Sequence, residues 1–370
     1  MKTVQELRQV KGQAIAEAPN QVKRIFENLY EVKSQSGNGE YKVERTLVGW
    51  SCNCPDHVYR GVKCKHIWAV ELSFNLRRHV CAQRIEPLNT QVCPFCQSDS
   101  FMKHGIRRNK SGDLQRYLCK GCGRWFVFNL GFEGMKASPQ VITSAMQLYF
   151  TGESLRNVQR FLRLQGVNVS YVSVYRWIKK YTALMEKYLA KVTPQVSDTW
   201  RADELYVKIK GDMKYLFALM DDETRFWIAQ EVADTKHSYD ARTLLRMGKE
   251  IAEKTPATFI SDGLPSYHEA YLKEYWTARK DTQTRHVREI RMSGKIHNNK
   301  MERFNGEVRD REKVMRGLKK KDTAILKGYQ IYHNYVRPHE ALNGKTPADL
   351  CGIEVRGKNR WMTLIQNASR

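Results

Sequence analysis

Three kinds of residue in this 370-residue chain are spaced for chemistry: paired cysteines, two separate aspartates, and one glutamate in a basic run. Cys52 and Cys54 are one residue apart, nine residues follow, and Cys64 and His66 are again one apart. Four borderline-soft ligands in two tight pairs suit tetrahedral zinc. Cys93-x-x-Cys96 and Cys119-x-x-Cys122 enclose 22 residues, with Gly121 and Gly123 easing the second turn, which is the spacing of a zinc ribbon. A Cys-x-x-Cys redox pair is the rival, but two matched pairs without a βαβ setting disfavour it. Asp203 and Asp262 fall at strand positions, and Glu302 lies in HNNKMERFNGEVRDR (297–311), read as the start of a helix. Three acids grouped together would hold hard divalent cations, two of which can stabilise the attacking and leaving oxygens of phosphodiester chemistry.

The elements that must position these groups follow from periodicity. Residues 4–30 read as helical, with a break at Ala18-Pro19-Asn20, and 30–33 with 41–47 as a β-hairpin. The second zinc pair opens an amphipathic helix over 67–72, and a basic hairpin joins the Cys-x-x-Cys knuckles. Three helices follow, at 141–150, 155–164 and from Ser170, with Gly166 in the last turn, which makes a helix-turn-helix. In its last helix Val172, Val174, Trp177 and Ile178 are expected inside, leaving Tyr171, Ser173, Arg176, Lys179 and Lys180 for a DNA major groove. Strands at 199–209, 215–220 and 226–232, a helix at 239–254 and a strand ending at Asp262 give the order of a ribonuclease H-like fold, in which Asp203 and Asp262 can approach.

Lys and Arg outnumber Asp and Glu 63 to 39, a formal charge of +24, which points to a polyanion partner, nucleic acid first. The amino terminus lacks a signal-peptide core and no run of roughly 18 apolar residues occurs, so a cytoplasmic, nucleoid-associated protein with no membrane partner is expected. Nine cysteines in such a compartment favour metal over disulfides. Cys81 and Cys351 are left as structural thiols, with His57 and His104 outside the ligand sets.

Two strands followed by Cys-x-Cys and Cys-x-His at a helix start resemble the SWIM zinc finger. From about residue 140 to 352 the chain resembles the DDE transposases of insertion sequences, closest to the insertion-sequence-six type of the retroviral-integrase-like superfamily. WRADE around Asp203, FISDGLPSY around Asp262, the run containing Glu302, and the ending YHNYVRPHEALNGKTPADLCGI carry the resemblance. It implies that Asp203, Asp262 and Glu302 bind two Mg or Mn ions, and that the protein binds terminal inverted repeats, nicks 3′ ends and transfers them to target DNA, as a homodimer or larger assembly on double-stranded DNA. Thirty-nine residues separate Asp262 from Glu302, somewhat long for the group, which places a longer strand or loop around Arg279 to Gly294. Glu307, Asp310 and Glu312 are rivals for the third acid, and Asp221 and Asp222 for the strand acids, although Asp221–Thr224 reads better as a hairpin turn. Arg303, Arg309, Arg311 and Lys313, with Arg316 and Lys319–Lys321, are expected to track phosphates.

The expected architecture is therefore multidomain α+β: a SWIM module with N-terminal helices (1–85), a zinc ribbon (86–135), a helix-turn-helix domain (136–195), a ribonuclease H-like catalytic domain (196–352) and an unassigned basic tail (353–370). Two structural zinc ions accompany the catalytic pair. A zinc-rich DNA-binding regulator derived from a transposase, without catalysis, is the alternative.

Overall fold

The computed structural model describes the chain except for residues 1–3, 19–20, 27–28, 38, 47–48, 79–82, 89–91, 110–111, 129, 280–282, 290–298, 315–317 and 319–323. Cys81, His297, Asn298, Arg316 and Lys319–Lys321 thus lie outside the described residues.

The N-terminal part contains α1 (Val4–Glu17), an antiparallel sheet β1 (Val22–Phe26), β2 (Leu29–Lys33), β3 (Glu40–Thr46) and β4 (Gly49–Cys52), then α2 (Pro55–Arg60) and α3 (Lys65–Arg78). The expected helix thus ends at Glu17, and 22–26 is a strand. Val22 and Ile25 are spaced for either state, and antiparallel pairing with β2 decides for strand. α1 rests on α3 through Gly12, where a Cβ would stand 2.5 Å from that of Trp68. Arg8 clamps Asp56 with two 2.8 Å hydrogen bonds.

After β5 (Gln83–Ile85), the second cysteine module is a three-stranded sheet of β6 (Phe101–Asn109), β7 (Gly112–Cys119) and β8 (Trp125–Phe126). The helices α4 (Pro139–Thr151), α5 (Leu155–Leu164) and α6 (Tyr171–Leu189) follow, each capped by a serine hydroxyl, from Ser138, Ser154 and Ser170. Gly166, at φ +75°, supplies the left-handed step between α5 and α6. Val174, Trp177 and Ile178 are buried as expected, whereas Val172 is 37% exposed: it lies in the first turn of α6, beyond the neighbouring helices' reach.

The central sheet consists of β9 (Thr199–Ile209), β10 (Asp212–Asp221), β11 (Trp227–Ala233), then, after α7 (Ser238–Ala252), β12 (Thr258–Asp262), and, after α8 (Pro265–Glu274), β13 (Arg285–Glu289). Its order is β11-β10-β9-β12-β13, with β9 to β11 antiparallel and β12 and β13 parallel to β9. This is a ribonuclease H-like core. The long interval before Glu302 is occupied by α8 and β13, of which only a strand or loop was expected. α9 (Asn299–Glu312) then packs on β9, and α10 (Ala324–Ile331) continues into a single wider turn over Tyr332–Val336.

The C-terminal segment is built into the fold. Following α11 (Pro347–Leu350), β14 (Ile353–Val355) pairs in parallel with β5, and α12 (Arg360–Ala368) buries Trp361, Leu364 and Ile365 in the main core. That core is continuous from α4–α6 through the sheet to α12. Phe150 of α4 stacks on Trp361 at 5.5 Å.

The joint between helices and sheet depends on Gly328 of α10, where a Cβ would meet Phe150 at 2.4 Å and Thr182 at 2.7 Å. Gly306 in α9 has open space at the same place. Gly328→Ala should therefore destabilise by about 1–3 kcal/mol through overpacking, while Gly306→Ala should be neutral or stabilising by about 0.5–1 kcal/mol. Thermal melts of the two variants check this, and equal shifts would contradict it.

Candidate functional site

Asp203 and Asp262 meet because of strand register. β9 and β12 run in parallel with Ile260 beside Arg201 and Ser261 beside Ala202, and the next residue on each strand is an aspartate. Carboxylate oxygens of Asp203, Glu204 and Asp262 lie within 4.8 Å of one another. Each strand acid is held: Asp203 Oδ1 accepts from the Glu204 amide at 2.9 Å, its Oδ2 from Asn305 Nδ2 at 2.8 Å, and Asp262 Oδ1 from the Leu264 amide at 3.1 Å. Burial, then the charges of Glu204 and Asp262, push the Asp203 carboxyl up to about 7.

Glu204 was not singled out from the sequence. Its Oε1 pairs with Lys236 Nζ at 2.7 Å, while Oε2 is buried without a hydrogen-bond partner among the described residues. Strict strand alternation would send Glu204 to the face opposite Asp203, yet its carboxylate lies within 4.8 Å of those of Asp203 and Asp262; the adjacent Asp-Glu pair in WRADE is the available signal. Asn305 is the other omission, a polar residue three positions after Glu302 and so on the same helix face.

The structure groups Asp203 with Asp262 but not with Glu302, which is exposed on the first turn of α9. The rival acids are engaged elsewhere. Asp221 accepts from Ser197 and Thr224 inside the hairpin turn, and Asp222 is ion-paired with Arg201 and with Lys300 at 3.2 Å. Glu307 pairs with Arg337 at 2.6 Å, Asp310 with Lys313 at 2.8 Å, and Glu312 accepts the Lys208 amide at 3.1 Å.

Among the basic residues, Arg303 and Arg309 are exposed. Arg311 departs from the expected phosphate role: it is 8% exposed and donates to the Tyr149 carbonyl at 2.8 Å, because α9 packs that face under α4. Tyr171, Arg176, Lys179 and Lys180 are exposed on α6, and Ser173 is half-buried, its hydroxyl 3.0 Å from that of Ser170. Tyr171 and Lys313, from distant stretches, line one groove of about 690 Å³ with Arg156, Arg160 and Tyr175.

Both cysteine sets are assembled. Cys52, Cys54, Cys64 and His66 are buried with ligand atoms within 4.8 Å, and His66 Nδ1 is 3.9 Å from the sulfurs of Cys52 and Cys64. In the second set Cys93 and Cys122 are 3.7 Å apart and Cys96 and Cys119 3.5 Å apart. Tetrahedral zinc with 2.3 Å bonds would put sulfurs about 3.8 Å apart, so both sets fit it. A hydrogen bond from Cys52 holds the Cys64 thiol below the ordinary thiol range. His57 Nδ1 lies 2.8 Å from the Val62 carbonyl, outside the ligand set, and Cys351 is a buried thiol donating to Thr224 at 3.2 Å.

Because the folded-state pKa of Asp203 is raised, its stabilising effect is full below the ordinary carboxylate range and is lost as pH rises through about 7. Asp203→Asn should therefore stabilise protein free of divalent catalytic metal at pH 8 by roughly 2 kcal/mol after solvent screening, read as a higher melting temperature, and the difference should vanish towards pH 4. A lower melting temperature at pH 8 would contradict this electrostatic account.

Comparison with known proteins agrees with this geometry. Residues 197–339 match the DDE domain family and residues 41–75 the SWIM zinc finger family. Over 147 residues, 38% of its length, the chain is 30% identical to the transposase for insertion sequence-like element IS431mec of Staphylococcus aureus. It spans 63% of the length of that curated relative. It is 29% identical over 128 residues to an uncharacterized protein in transposable element ISH50 of Halobacterium salinarum, covering 33% of this chain and 39% of that one. The HTLV-2 integrase catalytic core domain in complex with magnesium aligns with 43% of this chain and 98% of its own at 16% identity, with a TM-score of 0.31, too low to carry an argument. The paired aspartates thus stand within the region that matches the DDE domain family, and Cys52, Cys54, Cys64 and His66 within the region that matches the SWIM zinc finger family.

Proposed function

We propose that this protein is the transposase of an insertion sequence, acting on double-stranded DNA by 3′-end cleavage and strand transfer. The observation that carries the reading is the pairing of Asp203, in the middle of β9, with Asp262, at the end of β12, within the region that matches the DDE domain. Asp203 and Asp262, with Glu302, would hold two Mg²⁺ or Mn²⁺ ions. The donor set suits them: hard carboxylate oxygens, with the Asp203 carboxyl pushed up by burial and then by the neighbouring charges of Glu204 and Asp262. When bound, such ions stabilise the attacking and leaving oxygens of an in-line phosphoryl transfer.

The chain's own residues do the rest. Asn305 and the Glu204 amide fix the Asp203 carboxylate, and the Leu264 amide fixes Asp262, so neither acid must be ordered when substrate arrives. Glu302 is the third ligand in this reading because it precedes Asn305 by three residues, on the helix face that meets Asp203. Glu204, with Lys236 as its countercharge, is a positioning residue beside the pair.

α4 to α6 act as a helix-turn-helix reader of the terminal inverted repeats, with Tyr171, Arg176, Lys179 and Lys180 presented to DNA. The groove that Tyr171 of α6 lines together with Lys313 beyond α9 supports a DNA surface shared by the reader and the end of α9, which the exposed Arg303 and Arg309 of α9 would extend. The second cysteine module is a zinc ribbon, and each module holds one zinc. Two element ends must be joined, so the active form is at least a dimer on DNA.

Asp203→Asn, Asp262→Asn and Glu302→Gln should each reduce nicking of element-end DNA in Mg²⁺ by at least about 10³-fold while binding persists; full nicking by one variant removes that residue from the site. Elemental analysis should give two zincs per chain, with one lost in Cys64→Ser and the other in Cys119→Ser. A folded protein without zinc would overturn both metal modules.

A further inference from the structure

The sheet β6–β8 has two unlike faces. On the inner one Phe101, Tyr117, Phe126 and Phe128 pack edge-to-face and at tilted angles beside Cys93 and Cys119, with ring centroids 4.6–5.7 Å apart. On the outer one Trp125 stands 42% exposed. His104 meets the indole edge-on at 3.7 Å and the Arg116 guanidinium lies 4.8 Å from its ring centre. These neighbours hold the ring in place without covering it. Beside it is a cleft of about 370 Å³ lined by Arg107, Arg116, Trp125, Phe126 and Val127. Gly105, at φ +71°, sits in the register break between Lys103 and Ile106 that separates His104 from Arg107 along β6.

We infer that this outer face binds single-stranded DNA, with Trp125 stacking an unpaired base and Arg107 and Arg116 meeting the flanking phosphates. The charge selects a polyanion: residues 93–128 carry seven Lys and Arg against Asp99 and Asp113 alone. The aromatic surface selects among polyanions. Bases in a duplex have their π-faces covered by neighbours, whereas an unpaired base offers a free face to a fixed indole, and stacking with cationic support is the sequence-tolerant mode of single-strand binding. The site is separate from the acid cluster and does not depend on the catalytic reading.

The test uses the intact, zinc-loaded chain and a fluorescently labelled oligothymidylate of about 12 nucleotides, with a duplex of equal length as comparison. Trp125→Leu, which keeps apolar bulk without a π-face, should weaken oligothymidylate binding about tenfold and leave duplex binding unchanged. Trp125→Phe should retain most of the affinity while losing the indole quenching that oligothymidylate causes in the unsubstituted chain. Arg116→Ala should flatten the dependence of single-strand affinity on salt. Zinc content measured on each variant separates loss of the site from loss of the module. Binding by Trp125→Leu equal to that of the unsubstituted chain, or parallel loss of duplex and single-strand binding with zinc retained, would overturn the inference.

Discussion

Everything at the centre of this molecule depends on one parallel pairing, β12 alongside β9. A parallel partner in the middle of the sheet brings Asp203, midway along β9, beside Asp262 at the end of β12, where their charges oppose each other in a half-buried setting. Such a contact costs folding free energy unless a proton or a cation offsets it. The rest of the domain maintains it: antiparallel β10 and β11 fix β9 from one side, β13 extends β12 on the other, and α9 sends Asn305 into hydrogen bonding with Asp203. The site is strained electrostatically but not conformationally, since each carboxylate accepts from a fixed amide.

Much of this was legible in the residues. Cysteine spacing determines knuckle geometry locally, so both clusters follow directly from the sequence. Hydrophobic runs located β9 to β12, and serine caps with Gly166 marked the helices, because these signals act within a few residues. What escaped depends on distant partners. Val22 and Ile25 fit a helix or a strand until β2 pairs with them. Arg311 looks like its exposed neighbours until α4 is seen to cover it. The C-terminal residues 353–370 resemble a basic tail until β5, some 270 positions earlier, supplies a strand for β14 and α4 and α6 supply the bed for α12. Glu204 joins the pair only once β9 and β12 lie side by side.

The shared core has a functional consequence. The helices that would read DNA pack directly on the sheet that would cut it, through Gly328, Phe150 and Trp361, so the reader and the acids move as one body within that core. The cysteine modules have small cores of their own. In the proposed reading, the rigid joint would set the distance from recognised base pairs to the reacting phosphate, and the small modules would add contacts of their own with DNA.

The central claim is that opposed carboxylates make a site for divalent metal. The most direct test is the melting temperature of the zinc-loaded chain at pH 8 as Mg²⁺ is added. Binding to the folded state raises stability with the logarithm of free Mg²⁺ once it exceeds Kd, by about 2.7 kcal/mol at a hundredfold excess. The account predicts such a logarithmic rise in the unsubstituted chain that Asp203→Asn and Asp262→Asn each abolish. No rise, or the same rise in both variants, would contradict it.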